Sequence, residues 1–249
     1  MIHLISKVIF EGLGELMYPK RCPVCECIIK PGHVRVCSEC QDQLAYCEEP
    51  LCMRCGRSLW SCDSEYCDEC LGKQYEFEKG FSLFQYDALT KKMIADFKFN
   101  GRAWYADFFA EELVKRFGRE LLGLNPDLLV PVPIHKSRLR VREFNQAQLL
   151  SERISMLTGI GSANLLLRRG NTKPQKELGF EQRKKNLSGV FAVDKRKLRE
   201  FADKGKLLKT VVLIDDIYTT GATLNECAGT LKAAGIKKIY FLSLSIGRI

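Results

Sequence analysis

The chain has 249 residues, 46% of them hydrophobic, which is enough for one large domain, or a domain with a small module, around a substantial core. Lys and Arg together number 39 against 30 Asp and Glu, a formal net charge of +9 that favours polyanionic partners or phosphorylated ligands over acid-avoiding surfaces. No apolar run reaches the length of a membrane-spanning helix, which excludes an integral helical membrane protein.

Residues 1–18 are interrupted by Lys7, Glu11 and Glu15 and lack the apolar centre of a secretory signal. They read as a short amphipathic helix that docks onto the protein, with a membrane surface or a partner as the alternative. The expected compartment is therefore the cytoplasm, with peripheral attachment to the inner face of the membrane left open.

Eleven of the twelve cysteines follow, all between residues 22 and 70. Four CxxC pairs stand out: Cys22/Cys25, Cys37/Cys40, Cys52/Cys55 and Cys67/Cys70. Each pair puts two thiolates on one tight knuckle, and two knuckles close a tetrahedral zinc site. Eleven residues separate the inner cysteines in both quartets (25 to 37, 55 to 67), a regularity that predicts two structural zinc ions. A cytosolic setting disfavours disulfides, and redox CxxC motifs come singly. Sequential pairing within each quartet is the simplest arrangement; a cross-braced exchange stays open. Cys27, Cys47, Cys62 and Cys227 read as small apolar fillers. A segment with so few large apolar residues needs metal to fold. Arg54, Arg57 and Trp60 suit stacking on nucleic acid, and suit a plain surface equally well. These features predict a zinc-stabilised module over 1–78 and a second domain over 79–249.

From Gly80 onward the cysteines stop and amphipathic patterning begins. A strand is predicted over Phe81–Tyr86, helices over Leu89–Phe97 and Trp104–Phe117, and a basic turn between them at 98–102. A buried strand at Leu128–Val132 precedes a helix over Gln146–Leu157, strands at Leu165–Leu167 and Val190–Val193, and a helix over Lys195–Asp203. The order closes with an apolar strand from Thr210 to Ile214, a helix over Leu224–Ala234 and a strand over Ile239–Ile246. Alternation of this kind predicts an α/β fold, a mostly parallel sheet with helices on both faces and ligands at the carboxyl ends of the strands.

Chemistry concentrates in three segments. The strand TVVLI (210–214) runs into Asp215 and Asp216 and then a small turn, Thr219-Thr220-Gly221-Ala222-Thr223, at a helix start. Free amides and the helix dipole there favour a phosphate, and the adjacent acids suit sugar hydroxyls or a hydrated metal ion. Lys136, Arg138, Arg140 and Arg142 follow another strand end, placing four positive charges within seven residues. They read either as a solvated face or as phosphate and pyrophosphate contacts. Finally, Arg168 to Asn186 is long, polar and punctuated by glycine and proline, as expected either of a disordered segment or of a functional lid.

The run LIDDIYTTGATL (213–224) resembles the phosphoribosyl-pyrophosphate (PRPP) loop of type I phosphoribosyltransferases. That resemblance implies contacts from Asp215 and Asp216 to the ribose hydroxyls, and a wrap of Tyr218, Thr219, Thr220, Gly221, Ala222 and Thr223 around the 5′-phosphate. In order, the CxxC pairs, FKFNG (97–101), VPVP (130–133), RLRxRxFNQA (138–147) and TxPQxxLxxxxRxxN (172–186) then extend the likeness over nearly the whole chain. Together they resemble the ComF family of competence proteins, which carry a phosphoribosyltransferase domain and are implicated in bringing single-stranded DNA into the cytoplasm. Glu143 departs from the pattern, standing where the family's FNQ motif usually has glycine.

The resemblance implies Mg²⁺-bound PRPP over the sheet, a pyrophosphate leaving group and an oxocarbenium-like transition state. Positioning and electrostatics would carry such a reaction. Lys136 and Arg138, or the lid cations Arg183, Lys184 and Lys185, would stabilise the departing pyrophosphate. The acceptor is not evident: 6-oxopurine-using relatives carry an acid where this chain has Thr219. Three functions stay open: a live phosphoribosyltransferase tied to DNA uptake, a non-catalytic adaptor for single-stranded DNA or a competence helicase or translocase, and nucleotide salvage.

Overall fold

The structure is a computed structural model that describes residues 21–29, 35–99, 104–169 and 189–247. The chain forms two compact units, Met1–Ala45 and Tyr46–Ile249. The expected N-terminal helix and the greater part of the expected lid lie outside the described residues, as do Arg183, Lys184 and Lys185.

In the first unit a knuckle is closed by a bridge between Arg21 and Ile28 and by the Cys22 amide donating to the Cys27 carbonyl at 2.9 Å. The second knuckle leads into a single turn of helix, α1 (Ser38–Gln41). Cys22 and Cys40 are buried, whereas Cys25 is exposed.

The second unit opens with the same device 30 residues further on, a bridge between Leu51 and Ser58 and a 2.7 Å bond from the Cys52 amide to the Arg57 carbonyl. In both knuckles the residue after the second cysteine is left-handed, Glu26 at φ 64° and Gly56 at φ 74°. Only the second needs glycine for space: a Cβ on Gly56 would meet the Gly80 carbonyl at 2.8 Å. That close approach lays the second ribbon on strand β1 (Lys79–Gln85), with the Gly80 amide donating to the Arg54 carbonyl at 2.8 Å.

Four strands form one parallel sheet: β1, β2 (Leu128–Pro131), β5 (Thr210–Tyr218) and β6 (Lys238–Ile246), in the order β1-β6-β5-β2. A separate antiparallel pair joins β3 (Leu166–Arg168) to β4 (Phe191–Val193). Helices α2 (Ala88–Phe99), α3 (Tyr105–Gly123), α4 (Lys136–Arg142), α5 (Gln146–Thr158), α6 (Lys195–Asp203) and α7 (Ala222–Ala233) cover them. The central strands are buried throughout, from Val211 to Ile214 and from Phe241 to Ile246, as the continuous apolar runs require.

Strand alternation sorts the core. Val211, Leu213, Ile239 and Phe241 share one hydrophobic cluster with Leu224, Cys227, Ala228 and Leu231 of α7. Cys47, Cys52, Cys55 and Cys70 belong to the same cluster. The second cysteine quartet is thus built into the sheet's own core. Cys47 and Cys227 are the buried fillers expected; Cys27 and Cys62 are exposed and fill nothing.

The basic segment 136–142 is a short helix, started by His135, whose Nδ1 accepts from the Ser137 amide at 3.2 Å. It ends at Glu143, which is left-handed at φ 66° and donates its amide to the Leu139 carbonyl at 2.8 Å. The family's glycine at this position is therefore a conformational choice: only glycine takes such a φ without strain.

Candidate functional site

The two acids of the central segment are neighbours in sequence but face opposite ways. β5 carries them past the end of β2, where the Val132 amide makes the last bond, to the Ile214 carbonyl at 2.9 Å. Beyond it, Asp215 follows Val211 and Leu213 onto the α7 face, while Asp216 follows Val212 and Ile214. The Asp216 amide donates to Asp215 Oδ1 at 2.9 Å, which ties the pair together at the backbone.

The two acids share Lys98 and differ in their arginines. Lys98, at the end of α2, places Nζ 2.8 Å from Asp216 Oδ2, with both side chains largely shielded. Arg142 stacks over the Phe99 ring at 4.7 Å, donates to Gln146 Oε1 at 3.2 Å, and feels the Asp216 charge. Gln146 Nε2 reaches the Lys98 carbonyl at 3.4 Å, and Asn145 holds the Val132 carbonyl at 3.0 Å. Lys98 and Phe99 therefore meet Arg142, Asn145 and Gln146, far away in sequence, beside Asp216. Sequence reasoning did not assign Lys98 to the acid pair; its basic turn was the available signal.

Asp215 sits differently. The residue is half-buried, and desolvation of its carboxyl, aided by the Asp216 charge, pushes it up to about 7. The Asp216 amide and the charges of Lys98 and Arg168 oppose that rise. Arg168, at the end of β3, is held over the Phe191 ring at 5.5 Å and is depressed by burial and by Arg138, with Asp215 opposing. Cys227 lies behind Asp215 on α7, its thiol pushed well up by burial. Arg168 appeared in the sequence only as the first residue of the lid, so its place beside Asp215 is new.

The turn itself is tight. Gly221 is left-handed at φ 76°, and a Cβ there would lie 2.5 Å from Tyr218 Oη. Glycine is thus required twice over, by conformation and by space. The Tyr218 ring turns into the core, stacked on Phe241 at 5.2 Å and edge-on to Phe77, so this residue can offer a ligand only its backbone. Thr220 is buried, and its hydroxyl accepts from the Ala222 amide at 3.4 Å, bracing the start of α7. Ala222 is buried, Thr219 exposed and Thr223 half-buried, leaving the last two to line the open side. Lys136 and Arg138 are exposed on α4; Arg138 lies close enough to influence both Arg142 and Arg168.

Each cysteine quartet fits zinc on its own geometry. Cys22, Cys25, Cys37 and Cys40 bring four Sγ atoms within 4.8 Å of one another, as do Cys52, Cys55, Cys67 and Cys70. The Cys25–Cys37 and Cys55–Cys67 sulfur separations are both 3.7 Å, matching the roughly 3.8 Å edge of a tetrahedron with Zn–S bonds of about 2.3 Å. Pairing is sequential and not cross-braced. Beside the second quartet, Arg54 and Arg57 are spent internally. Arg54 donates to the Phe77 and Glu78 carbonyls at 2.9 Å, and Arg57 binds Glu69 and the Gly247 carbonyl. Among the described residues no helix is long and apolar enough to cross a membrane.

Comparison with known proteins agrees with this layout. The double zinc ribbon domain family matches residues 13–71. Competence protein F of Haemophilus influenzae is 30% identical over 229 residues, 90% of this chain and 96% of that protein. Competence protein ComFC of Bacillus subtilis is 29% identical over 217 residues, 84% of this chain and 82% of its own length. DNA utilization protein YhgH of Escherichia coli K12 is 29% identical over 225 residues, covering 88% and 94%.

Proposed function

Because the chain belongs to the ComF family of competence proteins, we propose that it serves the uptake or use of incoming single-stranded DNA through a pocket that binds PRPP or a related phosphorylated sugar. The observation that carries this reading is the Gly221 turn. It sits at the carboxyl end of a central parallel strand, at a helix N-terminus, beside two acids that share Lys98, with Arg142 acting on Asp216 and Arg168 on Asp215. In this reading the amides from Thr219 to Thr223 hold the 5′-phosphate, with the Thr219 and Thr223 hydroxyls alongside. Asp215 and Asp216 take the ribose hydroxyls. Arg138, Arg142 and Arg168 face the negative charge that grows on departing pyrophosphate, with Lys136 at the rim. A divalent ion such as Mg²⁺, arriving with the diphosphate, would neutralise part of its charge.

Lys98 gives the pocket a second use. It pairs with Asp216, the same carboxylate that this reading assigns to a ribose hydroxyl, so ligand and lysine share that acid. A pocket of this kind can report a bound sugar phosphate to the rest of the protein without turning it over, which is the adaptor reading. Calorimetry with PRPP and Mg²⁺, followed by an assay for released pyrophosphate, separates the two. Binding with release supports a transferase; binding without release supports the sensor. Binding that survives in both Asp216→Asn and Gly221→Ala would remove the pocket from the argument altogether.

A further inference from the structure

Charge is distributed unevenly along this basic chain. Residues 46–78, which contain the second ribbon, carry eight acids against three bases, in a protein of net charge +9. Of those bases, Arg57 is paired with Glu69 and also donates to the Gly247 carbonyl, and Arg54 is held by the Phe77 and Glu78 carbonyls. Four thiolates around one Zn²⁺ would add further negative charge to the ribbon. An acidic surface repels phosphate backbones, so the ribbon's aromatic side chains are poorly placed for nucleic acid.

The same ribbon holds an open pocket of about 330 Å³, lined by Leu59, Trp60, Tyr66, Asp68 and Glu69 with Arg57 among them. Trp60 is 87% exposed, the highest exposure among the exposed large hydrophobic side chains of the described residues. Asp68 lines the pocket with it and is exposed, and Asp63 and Glu65 are further exposed acids of the same ribbon. An aromatic face bordered by carboxylates is the chemistry that takes up a guanidinium or ammonium group: the ring attracts the cation and the acids pair with it.

We infer that the Trp60 pocket of the second ribbon is a docking site for an arginine- or lysine-bearing extended segment of a partner protein. Trp60 is the stacking surface and Asp68 the charge partner. The pocket shares no lining residue with the Gly221 turn, and the inference does not rest on the function proposed for that turn. Partner docking and sugar-phosphate binding should therefore fail independently.

Fluorescence anisotropy of labelled hexa-arginine peptide with the full-length, zinc-loaded protein tests this. Trp60→Ala is expected to weaken binding about tenfold and Asp68→Asn about threefold, with zinc content and thermal midpoint unchanged, because both side chains are exposed. Equal binding by wild type and both variants, or no binding by wild type, would overturn the proposal. So would a concentration-dependent dimer in sedimentation velocity that Trp60→Ala abolishes, since the occupant would then be a second copy of this chain.

Discussion

Glu143 and Asp215 are two residues held in states their chemistry disfavours, and each makes a measurable prediction. Glu143 is left-handed at φ 66°, which costs a non-glycine residue about 1–2 kcal/mol. Glycine removes that strain but loosens the unfolded chain, so Glu143→Gly should gain only about 0.5–1 kcal/mol, seen as a rise of a few degrees in melting temperature. Asp215 is raised to about 7 in the folded protein, against about 4 when unfolded. Below pH 4 both states hold the proton and the carboxyl costs nothing. As pH rises towards 7 the unfolded state ionises first, so stability is lost across that window and stays lost above it. Asp215→Asn removes this dependence, and its melting temperature relative to wild type should climb from pH 4 to pH 7 and then level off. A flat difference across that range would show that the carboxyl is not desolvated as described. Gly221→Ala meets both a strained φ and the Tyr218 hydroxyl, so it should disorder the turn and abolish the PRPP binding proposed for it, while the zinc content of the cysteine quartets stays unchanged.

At the scale of elements, the two cysteine quartets look alike in sequence and differ in what they support. The first stands among exposed knuckle residues, with Cys25 open to solvent. Cys52, Cys55 and Cys70 are buried in one cluster with Val211, Phe241 and Leu231. Structural zinc supplies binding energy that counts directly as folding energy. Cys55→Ser should therefore cost the sheet its cooperative unfolding transition in circular dichroism, whereas Cys25→Ser should leave that transition in place. The division proposed at residue 78 can be examined in the same way: a fragment of 79–249 is expected to be less stable than one of 46–249, because it leaves the β1 surface under Gly56 and Arg54 uncovered. Helix α6 makes a further point. Leu198 and Phe201 pack on the core while Lys195, Arg196 and Arg199 stay exposed, so one turn pattern yields both an anchor and a charged face.

For the whole molecule the excess of positive charge lies outside the second ribbon. If single-stranded DNA binds, its affinity should fall steeply with salt, and Lys195→Glu, Arg196→Glu and Arg199→Glu combined should lower the log–log salt slope by about 2. Trp60→Ala should leave that binding unchanged. A loss of oligonucleotide affinity on Trp60→Ala would return the ribbon to nucleic acid and contradict its acidic character.

Much of this was readable from local pattern. The apolar run 210–214 announced a buried parallel strand, the paired CxxC motifs announced two metal sites, and Gly221 marked the turn. Each rests on physics that acts within a few residues: strand periodicity, knuckle geometry and the freedom of glycine. Tertiary structure decided what those features meet. Strand alternation turned Asp215 and Asp216 to opposite faces, the Phe241 ring drew Tyr218 inward, and packing brought Lys98 and Arg168 to acids more than forty residues away in sequence. It also consumed Arg54 and Arg57 in carbonyl bonds and gave one of two similar ribbons to the core. Contacts between distant segments depend on which faces are buried together, and no local pattern encodes that choice.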